Sequence, residues 1–489
     1  MKTDLLIIGS GPGGYVAAIR AAQLGKEVIL VEQDRLGGVC LNVGCIPSKT
    51  LIHAANLYHK IPELSSLGIS VTDLRLDLGS LRAWKEGIVE RLREGIAKLL
   101  KANGVMMVQG RASFISREEV RVEGLEGQTI GFTHCILAAG SRPLELPGLE
   151  FDHELVLDST DALALELEEV PEALLVVGGG YIGLELGTLY AKLGSKVTVV
   201  EMMDRLLPGT PSPGELVRPV ERRLRELGVE ILLKAKAKGL RRGRSGSGGG
   251  GELVVETPEG EERLEAEKIL QAVGRRPNTA GLGLEKAEVR LTEGGFIEVD
   301  GQLRTANPRI FAIGDLVGPP MLAHKASHEG LIAAEAVASA GLSGSRSGPG
   351  LGPSAPFRAI PAVIFSDPEI AYVGLSEAEA KAQGRAVLVG RFPFAALGRA
   401  VAMGETEGFV KIIADARSRA VLGVEIVGPE ASNLIGEAAL AVETGATLED
   451  LARTVHPHPT LPEGLMEAAR AALERPIHIL LRRKGPKRG

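Results

Sequence analysis

The chain has 489 residues with three cysteines, a formal charge of −6 and 44% hydrophobic residues. So few cysteines exclude a disulfide-stapled secreted scaffold, and an acidic balance gives no support to a nucleic-acid partner. No apolar run approaches the roughly 18 residues of a membrane span, and the length suits about three domains.

After Met1-Lys2-Thr3-Asp4 the chain enters the apolar strand Leu5-Leu6-Ile7-Ile8 without a signal peptide, so a cytoplasmic address is expected. Gly9, Gly11 and Gly14 follow as G-x-G-x-x-G, then a helix, a second strand Val28-Ile29-Leu30-Val31 and Glu32. In this context the motif is a dinucleotide fingerprint: a tight turn, close backbone approach to pyrophosphate, and close packing of helix on strand. The helix N-terminus then faces the phosphates.

Cys40 and Cys45 come next, in Gly37-Gly38-Val39-Cys40-Leu41-Asn42-Val43-Gly44-Cys45-Ile46-Pro47-Ser48-Lys49. A dithiol beside a bound dinucleotide can pass two electrons between the cofactor and an outside sulfur compound. The bland alternatives are a structural disulfide or two inert core thiols. Further on, Trp84, Ile88, Leu92, Ile96 and Leu99 recur at helical spacing within 81–103, which reads as the packed face of an amphipathic helix. Cys135 opens an apolar strand and is expected to be an inert core residue.

The opening then repeats. Leu174-Leu175-Val176-Val177, Gly178, Gly180, Gly183, Val197-Thr198-Val199-Val200 and Glu201 follow the first copy residue for residue, 169 positions later. Both copies end in a strand and Gly-x-Arg-Pro, at Gly140-Ser141-Arg142-Pro143 and Gly274-Arg275-Arg276-Pro277. Two dinucleotide sites are therefore expected. A carboxylate at the end of the second strand accepts from a ribose diol and repels a 2′-phosphate, so Glu201 predicts NAD(H) over NADP(H).

Residues 241–251 are rich in glycine, serine and arginine and read as a flexible hairpin loop, and 341–356 as a disordered linker. Between them, Ile310-Phe311-Ala312-Ile313-Gly314-Asp315 is a short apolar strand delivering one carboxylate to a polyol, with the ribitol of FAD as the natural ligand. Near the C-terminus, His456-Pro457-His458-Pro459-Thr460-Leu461-Pro462-Glu463 supplies imidazoles and a carboxylate, and the basic run 482–488 reads as a solvated tail.

The segment Gly37–Lys49, the paired fingerprints, the Gly-Asp motif and the His-Pro-His-Pro-Thr-Leu-Pro-Glu run together resemble the FAD-dependent pyridine nucleotide–disulfide oxidoreductases, over about residues 3 to 480. Among these, the chain is most similar to the dihydrolipoamide-oxidising flavoproteins of 2-oxo acid dehydrogenase complexes. The resemblance implies an α/β fold with two Rossmann-like domains for FAD and NAD and an α+β C-terminal dimerisation domain. The implied boundaries are 1–146 for the first part of the FAD domain, 147–276 for NAD, 277–345 for a central domain completing the FAD site, and 346–489 for the interface domain. It places FAD at Gly9, Gly11, Gly14, Glu32, Lys49, Gly110, Ala139, Gly140, Ser141, Asp315, Met321, Ala323 and His324. It places NAD at Gly178, Gly180, Gly183, Glu185, Glu201, Ala237 and Gly274, with Lys49 near the flavin and able to pair with Glu185.

The resemblance further implies that Cys40 and Cys45 form a redox disulfide, Cys40 facing substrate and Cys45 the flavin. On a regular helix five residues rise about 7.5 Å, beyond the usual reach of a disulfide, so the pair needs a distorted first turn, helped by Gly44 and Pro47. His458 would be the base, oriented by Glu463 and acting across a homodimer, with His456 the second candidate. The implied partners are the lipoyl and docking domains of an acyltransferase. A different NADH-linked disulfide reductase, or a mainly docking role, are the rival readings.

Overall fold

The computed structural model describes all residues except 125–127, 167–168, 243–249, 340–356, 358 and 481–489. The centre of the Gly/Ser-rich segment, the linker 341–356 and the basic tail thus lie outside the described residues. The chain divides into two compact units, Met1–Glu169 with Val273–Pro356, and Val170–Ala272 with Phe357–Gly489. Among the described residues no helix is long and apolar enough to cross a membrane.

The first unit is built on a seven-stranded sheet. Met106–Gln109, Val28–Glu32, Lys2–Ile8, Gln128–Leu137 and Ile310–Ala312 are parallel neighbours in that order. Glu119–Glu123 and Arg111–Phe114 extend the sheet antiparallel. Leu5, Leu6, Ile7 and Ile8 are all buried, as expected of a parallel strand covered on both faces. Helix Pro12–Gln23, begun by proline at its first position, packs Ala17, Ala18 and Ala21 into a core shared with Ala333 and Ala334 of helix Ala323–Ser339.

The second unit repeats the motif. Glu230–Leu232, Lys196–Val200, Ala173–Val177 and Lys268–Gln271 are parallel neighbours in that order. The register is the same as in the first unit: Leu5 stands opposite Val28, and Leu174 opposite Val197. Lys236–Arg242, Gly251–Thr257 and Gly260–Ala266 form a three-stranded antiparallel sheet, so the Gly/Ser-rich segment does join two hairpin strands. The remainder of the unit is a five-stranded antiparallel sheet covered by helices Ala431–Thr444 and Glu463–Ala472, around Phe392, Ile412, Ile426, Leu434 and Leu465.

One expectation needs correction. Residues Leu78–Ala102 do form a helix, capped by Asp77, whose carboxylate accepts from Ser80 N–H at 3.0 Å. Its anticipated packed face is largely in solvent, with Trp84, Leu92 and Leu99 exposed by 47%, 42% and 53%. The buried positions are Leu78, Lys85, Val89 and Leu100 instead. The inward stripe is turned by one residue because Lys85 is accommodated there. Its ammonium donates to the carbonyls of Leu163 at 2.7 Å and Ala164 at 3.1 Å, which satisfies the charge a hydrophobicity reading counts as outward.

Helix Glu463–Ala472 lies hard against strand Val387–Pro393. A Cβ on Gly390 would come within 2.0 Å of the Ala468 carbonyl and 2.5 Å of the Ala472 nitrogen. Both are backbone atoms, which cannot rotate aside. Gly390→Ala is expected to destabilise the protein by about 1–3 kcal/mol through overpacking, read as a lower urea midpoint.

Candidate active site and dinucleotide cradles

Each fingerprint turn holds its glutamate in the same way. Glu32 Oε2 accepts from Ser10 N–H at 2.8 Å and from the Ser10 hydroxyl at 2.6 Å, and its Oε1 accepts from Asp34 N–H at 2.9 Å. Glu201 Oε2 accepts from Gly179 N–H at 2.6 Å and Oε1 from Met203 N–H at 2.7 Å. The donors stand at equivalent positions of the two copies. Glu32 Oε1 and both carboxylate oxygens of Glu201 keep a further acceptor position, which is what a ribose diol requires.

The glycines behave as the fingerprint demands. Gly9 and Gly178 have φ of 98° and 109°. A Cβ on Gly14 would meet Gly9 O at 1.8 Å, and one on Gly183 would meet Gly178 O at 2.0 Å. At Gly11 and Gly180 a Cβ would find nothing within 4 Å, so the middle glycine of each copy opens onto free space. Beside Glu32 a cleft of about 720 Å3 is lined by Gln33, Asp34, Gln109, Gly110, Arg111, Glu123 and Gly124. These features fit one dinucleotide in each unit.

Other residues anticipated around the flavin cluster within the first unit. Ser141 donates to Asp315 Oδ2 at 2.5 Å, and Asn278 Nδ2 donates to the Ala139 carbonyl at 2.9 Å. Gly140, at φ 70°, accepts from Asn278 N–H at 2.9 Å. Met321 precedes helix Ala323–Ser339, whose first two residues are Ala323 and His324.

Sequence reasoning missed Asn278 and three further residues that hold this cluster. Arg275 donates to the Ser141 hydroxyl at 2.8 Å and to its carbonyl at 2.7 Å, so the second residue of one Gly-x-Arg-Pro secures the second residue of the other. Lys325 and Glu329 form a buried ion pair at 3.1 Å. Glu329 accepts from Gly314 N–H at 2.7 Å, and Lys325 donates to Gly318 O at 3.1 Å. Together they pin the turn that carries Asp315.

In the second unit Glu185 is buried on helix Tyr181–Leu193 and accepts from Phe365 N–H at 2.9 Å. Asp367, two residues on, accepts from Lys192 at 2.6 Å and Arg223 at 3.1 Å. Ala237 lies at a bulge in strand Lys236–Arg242. Gly274 belongs to the first unit, exposed at φ 134°.

The dithiol segment is two helices, Gly38–Val43 and Cys45–Lys60, broken at Gly44, whose φ and ψ are −141° and −110°. This is the distortion the spacing requires, and it brings the Cys40 and Cys45 thiols into hydrogen-bond contact. That hydrogen bond, then burial and charge on Cys45, push the Cys40 thiol up, against the opposing charge of Lys49. Cys135 is fully buried in the first sheet, and burial pushes its thiol up as well, as an inert thiol requires.

The second unit supplies the imidazole–carboxylate pair. Glu463 Oε1 meets His458 Nδ1 at 2.9 Å, and Oε2 accepts from Thr460 N–H at 2.8 Å. The His458 side chain is 77% exposed, leaving Nε2 accessible, whereas Glu463 is 16% exposed. Pro462, at φ −55°, starts the helix on which Glu463 is the first residue. His456 differs: its side chain is 5% exposed and engages Glu437.

Burial alone would raise the Glu463 carboxyl, but Thr460 N–H and His458 outweigh it and hold the group below the usual range. A depressed carboxyl stabilises the fold above its unfolded value, about 4.3, and loses that contribution as pH falls through the lower folded value. The stability advantage of the wild type over Glu463→Gln is therefore expected to be full at neutral pH and to vanish in acid, measured by urea unfolding across that window.

Two family models account for most of the chain. The pyridine nucleotide-disulphide oxidoreductase model matches residues 3–330 and the dimerisation domain of the same family matches 360–469, which supports a homodimer. The chain is 49% identical over 486 residues to the dihydrolipoyl dehydrogenase of Haloferax volcanii, covering 98% of each. It is 47% identical over 482 residues to that of Geobacillus stearothermophilus, again covering 98% of each. The crystal structure of LpdA from Mycobacterium tuberculosis superposes with a TM-score of 0.85 at 30% identity, over 96% of this chain and 99% of that one. RclA, an HOCl-induced flavoprotein disulfide reductase from Escherichia coli, gives 0.81 at 28% identity, over 95% and 99%. The chain belongs to the pyridine nucleotide–disulphide oxidoreductase family, whose members of this kind use FAD and NAD.

Proposed function

We propose that the chain oxidises protein-bound dihydrolipoamide to lipoamide with NAD+, as the flavoprotein of a 2-oxo acid dehydrogenase complex. The observation that carries this reading is the broken helix at Gly44, which juxtaposes two thiols in the unit that holds the first dinucleotide cradle. The full-length similarity to dihydrolipoyl dehydrogenases supports the substrate class.

In the proposed cycle His458, fixed by Glu463 and acting across the homodimer, takes the proton of one substrate thiol. The thiolate attacks the Cys40 sulfur, the Cys40–Cys45 bond breaks, and Cys45 departs as a thiolate. His458 passes its proton to solvent and accepts that of the second substrate thiol. This thiolate then attacks the substrate sulfur joined to Cys40, closing lipoamide and releasing Cys40, which takes the proton from His458. FAD, held by the first cradle, supplies the two-electron relay from the dithiol to the nicotinamide. Cys40 and Cys45 are left as a disulfide, and the net yield per turnover is lipoamide, NADH and one proton.

The FAD cradle is assigned to Gly9, Gly11, Gly14, Glu32 and Asp315, with the contacts described around Ser141, and the NAD cradle to Gly178, Gly180, Gly183 and Glu201. The domain division at 146, 276 and 345 belongs to the same proposal, as do cytoplasmic residence and docking on a lipoyl-bearing acyltransferase.

Purified holoenzyme is expected to reduce NAD+ with dihydrolipoamide and to fail with NADP+, because Glu201 repels a 2′-phosphate, and with glutathione as thiol donor. A yellow protein without lipoamide activity would overturn the substrate assignment. His458→Ala is expected to lose about 10²- to 10⁴-fold in dihydrolipoamide turnover while keeping its FAD, the range for a positioned base. Near-normal turnover in that variant would remove His458 from the mechanism.

A further inference from the structure

His456 stands two residues before the proposed base and is held on both ring nitrogens. Nδ1 lies 3.1 Å from the Thr454 carbonyl, and Nε2 lies 3.1 Å from each carboxylate oxygen of Glu437. A carbonyl and a carboxylate only accept hydrogen bonds. The ring is therefore held between two acceptors, one on its own segment and one on Glu437. The ring is nearly enclosed, and leaving one of these groups unpaired there would be costly.

From these contacts we propose that Glu437 is a positioning residue for the dithiol half-reaction: it anchors the His456 ring and so fixes the segment that presents His458. Glu437 lies on helix Ala431–Thr444, so the ion pair ties residues 454–463 to a rigid element. The same helix face and the same segment line one cavity of about 410 Å3, through Glu430, Asn433, Leu434, Glu437 and residues 459–462, together with Arg399. The charged side chains lining that cavity are Glu437, Glu430 and Arg399, and the segment itself carries His458 and Glu463. The charge of His456 is among the influences that hold the Glu463 carboxyl down, which places both pairs in one electrostatic group. A base displaced by a fraction of an ångström loses rate without losing its chemistry, so Glu437 acts through His456 and touches no reacting atom.

The inference rests on His458 being the base, and the test separates the two claims. In Glu437→Gln holoenzyme, kcat for dihydrolipoamide oxidation is expected to fall at least about tenfold, within the 10²-fold that misplacement can cost. NADH-driven reduction of an artificial one-electron acceptor, which bypasses the base, is expected to stay at the wild-type rate with FAD fully retained. Glu437→Asp, which keeps the charge, is expected to recover part of the loss. An unchanged kcat in Glu437→Gln alongside an inactive His458→Ala overturns the proposal. Normal turnover in His458→Ala overturns the underlying reading instead.

Discussion

An unbroken helix carries residues five apart about 7.5 Å along its axis and to different faces, too far for two cysteine sulfurs to exchange a bond. Gly44 interrupts the helix between Cys40 and Cys45, with backbone angles outside the helical region. A Cβ there would stand 2.9 Å from the Val39 carbonyl, so the site has little tolerance for any side chain. The rest of the chemistry depends on this break. It makes a dithiol of two residues that helix geometry would separate.

The base proposed for the substrate thiol comes from elsewhere in the chain, and its surroundings show imidazole and carboxylate paired twice in different ways. His458 is exposed at its free nitrogen and fixed at the other by Glu463. His456 is enclosed and committed at both. The first arrangement leaves a site for a proton to come and go, and the second leaves none. Residue type and spacing in a His-Pro-His run do not distinguish these roles, whereas burial and the partner of each nitrogen do.

Much of the fold was legible in the sequence because its signals are local. The repeat spacing announced two equivalent strand–helix–strand units, and the register of the strands obeys it to the residue. Glu32 and Glu201 were legible for the same reason, since each is held by amides within its own motif and second strand. What stayed hidden depends on long-range contact. Arg275 reaches Ser141 across 134 residues, and the Lys325–Glu329 pair matters only because the Gly314 turn folds onto it. The helix Leu78–Ala102 shows the converse limit. Its periodicity was correct, but the inward face depended on carbonyls at Leu163 and Ala164 that satisfy a lysine.

The most direct test of the account is thiol mapping by mass spectrometry on anaerobic holoenzyme, alkylated before and after addition of NADH. If the Gly44 break creates a redox dithiol in exchange with the nucleotides, Cys40 and Cys45 resist alkylation in the oxidised enzyme and both become labelled after NADH, while buried Cys135 stays unlabelled throughout. Labelling of Cys40 and Cys45 without reductant, or no change on adding NADH to FAD-loaded protein, would contradict it.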